Sequence, residues 1–319
     1  MKKLISILLT FTLILSVCCI PAFAEDTVPG AEKTYDTDGS YPYVFVHGMG
    51  AWGSYNKFNE TWPNWGGASG DGTDLIKIFN NAGIESYAAS VGPFSSAWDR
   101  ACELYAQLTG TVVDYGKAHS EEHNHDRYGI DFTGKALMGA PWDCESEINL
   151  VGHSFGGPTV RLFASLIAYG DETEAAATGE DTSPLFLGGH EKSINALITF
   201  SGVHNGSPIA NLIHDNTAIM TLIAFFGNIL GVIFGKGILM YDDVQLGHFG
   251  ITAREDQERA TFSMERIRNF ATTGDNCGSD MTLSGAKALN EKIKLSPYTY
   301  YYSYSTISTQ ETAVGTQVP

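Results

Sequence analysis

Short apolar runs that end in glycine or polar residues alternate along the chain with longer segments of helical periodicity. Runs of this kind predict strands at residues 41–48, 85–91, 147–153, 194–202 and 298–306. Helical spacing, serines that can cap an N-terminus and closing glycines predict helices at residues 74–83, 95–110, 157–170 and 284–295. The polar stretch 171–183 predicts a solvated loop. Strands that alternate with helices indicate an α/β protein with a mostly parallel sheet and helices on both faces.

One segment departs from this alternation. Residues 217–240 are almost entirely apolar and long enough to span a bilayer, but they include Asn228, Lys236 and four glycines. They also lie between predicted strands of one sheet, and a membrane span there would divide the fold. The remaining interpretations are a core helix and a mobile cover over an apolar cleft, and we favour a cover.

The N-terminus has the pattern of a secretory signal peptide. Two lysines precede an unbroken apolar segment that ends in Ala22-Phe23-Ala24, so we expect cleavage after residue 24. A retained membrane anchor is the alternative, and a lipoprotein signal is disfavoured because Val17 precedes Cys18. Residues 25–40 then form a polar leader, and residues 41–319 form the folded domain. We expect no transmembrane anchor after cleavage and a secreted, extracellular protein.

The net charge excludes some classes of binding partner, and the cysteine content limits the number of disulfides. The net charge of the 319-residue chain is −17, and loss of the two N-terminal lysines makes it −19, which argues against nucleic acid and anionic lipid as electrostatic partners. Cys102, Cys144 and Cys277 remain in the mature chain. They allow one disulfide at most, and we predict buried free thiols.

Ser154 is the candidate nucleophile. Gly152-His153-Ser154-Phe155-Gly156 matches the pattern G-x-S-x-G and lies between a predicted strand and a predicted helix. In this turn a sharply strained serine exposes its hydroxyl, and the glycines avoid collisions with neighbouring backbone. The alternative is a glycine-rich turn with an idle serine.

An oxyanion hole would support such a serine. The residue after the nucleophile, Phe155, can supply one backbone N–H. The loop after the first strand, FVHGMGAWG, can supply the other from Met49. The alternative for this loop is a simple tight turn.

Histidines cluster in the sequence AHSEEHNHDRYG, which contains His119, His123 and His125. Asp99 lies near the start of a predicted helix. Imidazole and carboxylate ligands suit zinc, although three histidines in a loop can also be merely exposed.

Several blocks resemble the large zinc-containing bacterial true lipases of the staphylococcal and Geobacillus type. The blocks are GPFSSAWDRACELYAQLTGTVVDYGKAHSEEHNHDRYG, SPLFLGGHEKS, GVHNGSPIANL, LSGAKALNEKIKLSPYTYYYSYST and HGMGAWG, in residues 41–306. The resemblance implies an α/β-hydrolase fold, a helical lid at about residues 206–245, and hydrolysis of long-chain acylglycerols at lipid–water interfaces. It also implies a structural zinc held by Asp99, His119, His125 and Asp275, with His123 as a bystander.

The same resemblance implies that the catalytic acid, the base and a calcium site lie beyond Pro319. We therefore expect the 319 residues to lack the C-terminal strands, the acid and the base, and to be inactive by themselves. His190, His204, His214 and His248 follow the serine in the chain. The expected function is that of a triacylglycerol lipase. Alternatives are a carboxylesterase for short soluble esters and a non-catalytic, zinc-stabilised binding protein.

Overall fold

The structure is a computed structural model. It describes residues 41–56, 58–66, 73–214, 245–251, 264–306, 310–311 and 317–318, and all structural statements below concern these residues. The signal peptide and leader predicted for residues 1–40, and most of the lid predicted for residues 206–245, lie outside this part of the chain.

Nine strands are described. They are β1 (Tyr43–Val46), β2 (Ser86–Ala89), β3 (Val112–Asp114), β4 (Tyr128–Asp131), β5 (Ile148–His153), β6 (Ile194–Phe200), β7 (Tyr300–Tyr304), β8 (Gln310–Glu311) and β9 (Gln317–Val318).

The described helices, apart from short 3₁₀ turns, are also numbered in chain order. They are α1 (Phe58–Thr61), α2 (Leu75–Asn81), α3 (Ala97–Thr109), α4 (Lys117–His123), α5 (Gly156–Tyr169), α6 (Glu172–Thr178), α7 (Pro184–Leu187), α8 (Pro208–His214), α9 (Met264–Thr272), α10 (Cys277–Asp280) and α11 (Leu283–Lys292).

The central sheet is parallel throughout and has the strand order β2-β1-β5-β6-β7. β5 is its middle strand, and residues 148–152 of that strand are all buried. Because successive side chains of a strand point to opposite faces, this unbroken burial means that both faces of the sheet are covered. The predicted parallel α/β architecture is therefore confirmed. β3 and β4 form a separate antiparallel pair, as do β8 and β9.

The ends of α3 follow the predicted capping chemistry. The Ser96 hydroxyl accepts a hydrogen bond from the Asp99 N–H at 3.2 Å, and Gly110 ends the helix with a left-handed backbone at φ 64°. Nearly all of α3 is buried, including Asp99 and Arg100. The helix therefore carries charged groups into the interior, where each needs a partner.

The prediction for residues 171–183 is wrong, and several short elements have no counterpart among the predicted ones. Residues 171–183 are not a loop, because Asp171 caps helix α6 by accepting hydrogen bonds from the N–H groups of Thr173 and Glu174. The sequence patterns also do not predict the antiparallel pair of β3 and β4. The helix between these strands, α4, carries His119 and His123 and is likewise not predicted. Two short strands, β8 and β9, follow β7. The expectation that further strands complete the sheet stays a prediction.

The cysteine prediction is confirmed. Cys102, Cys144 and Cys277 are buried and form no disulfide. As to membrane spans, no helix among the described residues is both long and apolar enough to cross a bilayer.

Candidate functional site

Ser154 lies in a tight turn at the carboxyl end of the middle strand. β5 ends at His153, α5 begins at Gly156, and Ser154 has a left-handed backbone with φ 54°. A side chain on Gly156 would place its Cβ 2.2 Å from the carbonyl oxygen of Val46, and one on Gly152 would approach the Gly156 oxygen to 2.6 Å. Both glycines of the motif are therefore sterically required, and the serine is held in a strained conformation.

The loop after β1 lies directly against this serine. A Cβ on Gly48 would lie 2.9 Å from the Ser154 Cβ and 3.3 Å from its hydroxyl oxygen. The backbone N–H groups of Met49 and Phe155 donate to no acceptor among the described residues. Two backbone donors close to the serine are thus available to a ligand.

The described histidines near this turn have other partners. His204 Nε2 lies 3.1 Å from Thr199 Oγ1, and burial together with the Arg161 charge lowers the pKa of His204 to about 4. The His47 Nδ1 lies 2.8 Å from the Gly48 oxygen, and burial together with the Arg100 charge lowers its pKa to about 3. Among side chains that the structure describes, none forms a hydrogen bond with the Ser154 hydroxyl. The location of the acid and base stays a prediction.

A second group of candidate site residues includes Asp99 on α3. Four side chains could hold a metal ion, namely those of Asp99, His119, His125 and Asp275. Each offers one ligand atom, and these four atoms all lie within 4.8 Å of one another. His119 Nε2 is 3.2 Å from Asp99 Oδ1 and 3.1 Å from Asp275 Oδ2. His123 lies beside the group, and its Nδ1 is 3.3 Å from the Thr273 oxygen.

The buried carboxylates of this group favour a bound positive charge. Burial would raise the pKa of Asp275, but its contacts with His119 and His125 outweigh burial and hold that pKa well below its usual range. Burial would lower the pKa of His119, but the carboxylates of Asp275 and Asp99 raise it to about 10. Positive charge between the two carboxylates is therefore strongly favoured, either as protons on the imidazoles or as a metal ion.

One buried nitrogen that forms no hydrogen bond indicates whether a metal ion fits this group. The His125 Nε2 is buried and lies 3.2 Å from Asp275 Oδ2, yet its orientation gives no hydrogen bond. A buried ring nitrogen without a hydrogen bond is costly, whereas coordination would satisfy it. The donor set therefore fits a metal ion.

Two supporting residues were missed in the sequence. His248 is buried, its Nε2 is 3.1 Å from Asp99 Oδ2, and its ring centroid is 4.1 Å from that of Tyr115. Glu174, on α6, accepts hydrogen bonds from the backbone N–H of His119 at 2.7 Å and of Ala118 at 3.0 Å. The Glu174 carboxylate thus fixes the first turn of the helix that presents His119.

Replacement of Glu174 by alanine should weaken metal binding about 10- to 100-fold, because outer-shell partners orient the ligands that they hold. It leaves two N–H groups of α4 without their acceptor. The measurement is competition with a chelator of known affinity. The matched control is Glu172→Ala, an exposed residue of the same helix, which should bind metal like the parent. Equal affinity in all three proteins would contradict the role of Glu174.

A parallel α/β sheet with a strained serine turn after its middle strand defines the α/β-hydrolase class of proteins. The family model described as "Lipase-like, C-terminal domain" matches residues 39–319, and the chain belongs to this family. It is 31% identical to a lipase of Staphylococcus hyicus over 303 residues, which cover 92% of this chain and 44% of the relative. It is also 31% identical to a Staphylococcus epidermidis lipase over 298 residues.

Solved structures agree with this assignment. The crystal structure of Staphylococcus hyicus lipase matches with a TM-score of 0.72 and 29% identity over 92% of this chain and 72% of that one. EstA from Clostridium botulinum matches with a TM-score of 0.69 and 34% identity over 87% of this chain and 63% of that one. The resemblance inferred from the sequence blocks is confirmed. The chain spans less than half the length of these curated staphylococcal relatives.

Proposed function

We propose that the protein is a secreted triacylglycerol lipase that hydrolyses long-chain acylglycerols through an acyl-serine intermediate. The observation that carries the proposal is the strained turn of Ser154, with Gly48 directly against it. If this position at the end of a buried parallel strand served packing alone, glycine would suit its left-handed backbone better than serine. The relatives named lipases support the choice of substrate class.

Each part of the turn then has a role in the reaction. The Ser154 hydroxyl attacks the ester carbonyl, and the carbonyl oxygen becomes negatively charged in the tetrahedral intermediate. The N–H groups of Met49 and Phe155 stabilise that charge from the backbone. The base that accepts the serine proton, and the acid that orients the base, are expected outside the described residues.

The metal site has a structural role in this proposal. Two imidazole nitrogens and two carboxylate oxygens are a donor set that zinc accepts in tetrahedral geometry, and four protein ligands leave no open position for catalysis. We therefore propose zinc, held by Asp99, His119, His125 and Asp275. When bound, the ion neutralises two buried carboxylates and joins α3, α4 and the segment before α10.

The cover over the cleft remains part of the proposal. Residues 206–214 and 245 are its described ends, and α8 lies in the first of them. Leu212 on α8 is 65% exposed, a large apolar side chain where a lipid-facing element is expected. The remainder of the cover, residues 215–244, lies outside the described residues. Cleavage after Ala24 would release the protein from the cell.

The test compares two substrates. The natural full-length product should hydrolyse an emulsified long-chain triacylglycerol, and its rate should rise sharply once the substrate exceeds its solubility limit. A dissolved short-chain ester should give simple saturation with no such rise. Turnover of the short ester alone would instead identify a carboxylesterase. Absence of turnover on both would support a non-catalytic, zinc-stabilised protein.

A further inference from the structure

Arg100 is fully buried, and its guanidinium forms hydrogen bonds with His47 in the loop after β1 and with Thr159 in the first turn of α5. The side chain extends from α3, next to Asp99, but none of its hydrogen bonds involves the metal group. It donates to three acceptors: Nη2 to the His47 carbonyl, Nη1 to the Gly92 carbonyl at 2.8 Å, and Nε to Thr159 Oγ1 at 3.0 Å. All three acceptors lie in segments that border the serine turn or the loop after β1.

Two of these contacts restrain the loop on both sides of Met49. The His47 carbonyl belongs to the peptide bond immediately before the one that carries this N–H. On the other side of Met49, the Gly50 N–H donates at 2.9 Å to the Pro93 carbonyl, and Pro93 follows the Gly92 that Arg100 holds. Arg100 thus fixes the loop both directly and through the segment against which the loop rests.

The third contact reaches the second oxyanion donor. Thr159 Oγ1, which accepts from Arg100, donates in turn to the Phe155 carbonyl at 2.9 Å. The guanidinium carbon of Arg100 also lies 5.2 Å from the centroid of the Phe155 ring. One rigid planar group is therefore connected to the two segments that carry the candidate oxyanion donors, the N–H groups of Met49 and Phe155.

Burial of this cation has an energetic cost that a simple packing role does not explain. Burial lowers the pKa of Arg100 to about 10, and the neighbouring Cys277, Glu103 and Asp280 only partly counteract that effect. Burial also raises the pKa of Glu103 to about 8 and that of Asp280 to about 7, so these two groups are poor partners for the cation. An apolar side chain of similar volume would avoid the charge altogether, and such replacements of buried ionic groups are often neutral or stabilising. An arginine with three directed hydrogen bonds instead specifies the orientation of its acceptors.

We propose that Arg100 is the positioning residue of the oxyanion hole, which holds the Met49 and Phe155 N–H groups in the geometry that the tetrahedral intermediate requires. The inference rests on the proposed function, because it concerns the same serine. Its effect is on the transition state rather than on the bound substrate. Loss of Arg100 should therefore lower kcat and leave KM nearly unchanged.

The experiment uses the natural full-length protein with the variants Arg100→Lys and Arg100→Met, assayed on a dissolved short-chain ester. Lysine keeps the buried charge but cannot reach three divergent acceptors at once. We expect kcat to fall roughly 10- to 100-fold in the Lys variant, with KM within about twofold of the parent, since small misplacements of catalytic groups have effects of this size. The control is Arg161→Lys, an arginine on α5 that contacts His204 and Asn290 and should keep parental kinetics.

Hydrogen–deuterium exchange supplies a readout that does not depend on activity. Amides of residues 45–53 should exchange faster in Arg100→Lys, whereas β6 should be unchanged. Parental kcat and parental exchange in that variant would overturn the proposal, as would failure of both Arg100 variants to fold, which would show a purely structural role. If the parent hydrolyses no ester, the proposed function fails, and the exchange of residues 45–53 still decides the role of Arg100.

Discussion

Replacement of Ser154 by alanine is expected to lower ester hydrolysis by the full-length protein at least about 1,000-fold, because the covalent route is lost and only donor and binding effects remain. Stability should hardly change. The Ser154 hydroxyl forms no hydrogen bond with any described residue, and alanine keeps the same strained backbone. The unfolding free energy should therefore stay within about 0.5 kcal/mol of the parent.

Ser201 provides a matched control for this variant. It also has a left-handed backbone, with φ 49°, and it follows β6, the strand next to β5. Its hydroxyl lies 2.6 Å from that of Thr306, so it serves a local structural purpose. Ser201→Ala should keep parental turnover. Comparable losses in both variants, or residual turnover near the parental rate in Ser154→Ala, would rule out Ser154 as the nucleophile.

Removal of the proposed zinc is expected to destabilise the protein by several kcal/mol, since a structural ion contributes its binding free energy to folding. Asp275→Ala should have a similar effect, because it breaks a buried charge network at a cost of about 3–5 kcal/mol. The unfolding temperature should fall by roughly 10 °C, given about 2–4 °C per kcal/mol for domains of this size. Calorimetry before and after chelation, together with the metal content of each purified protein, provides the measurement.

His123→Ala is the control for the metal experiment. His123 lies on the same helix as His119, with ring centroids 4.6 Å apart, but it is not one of the donors. This variant should retain one equivalent of zinc and most of the parental stability. An Asp275→Ala protein with a full complement of metal would show that the four residues do not form the binding site.

The strands of the central sheet were predictable because each is an apolar run closed by a glycine or a polar residue. β5 is the clearest case, since its residues 148–152 are all buried and Gly152 belongs to the turn that follows. The Ser154 turn was predictable for the same local reason. A short motif determines its own backbone geometry when the flanking strand and helix are also evident.

α6 is predictable only when its capping chemistry is considered together with its composition. Asp171 followed by Glu172 and Glu174 is an N-terminal helix signal, with a side-chain cap and acidic residues in the first turn. The alanines that follow have the highest helix propensity. This local signal places Glu174 on a helix, but it does not show that Glu174 contacts His119.

The role of His248 could not be predicted from a single sequence. It contacts Asp99, which lies 149 positions earlier, and no local pattern connects the two residues. The same holds for Arg100, whose acceptors come from three separate segments. Contacts of this kind depend on how elements pack, and composition and periodicity carry no information about them.

The order of strands in the sheet determines when the two parts of the proposed site can meet during folding. The loop that carries Met49 follows β1 and Ser154 follows β5, and these two strands are neighbours although the whole segment 47–147 lies between them in the chain. Closing such a large loop is a slow, non-local step, because its entropy must be lost before its contacts form. A nascent chain that has emerged only as far as residue 147 therefore has the loop but not Ser154. The two parts of the proposed site come together only when β1 and β5 pair.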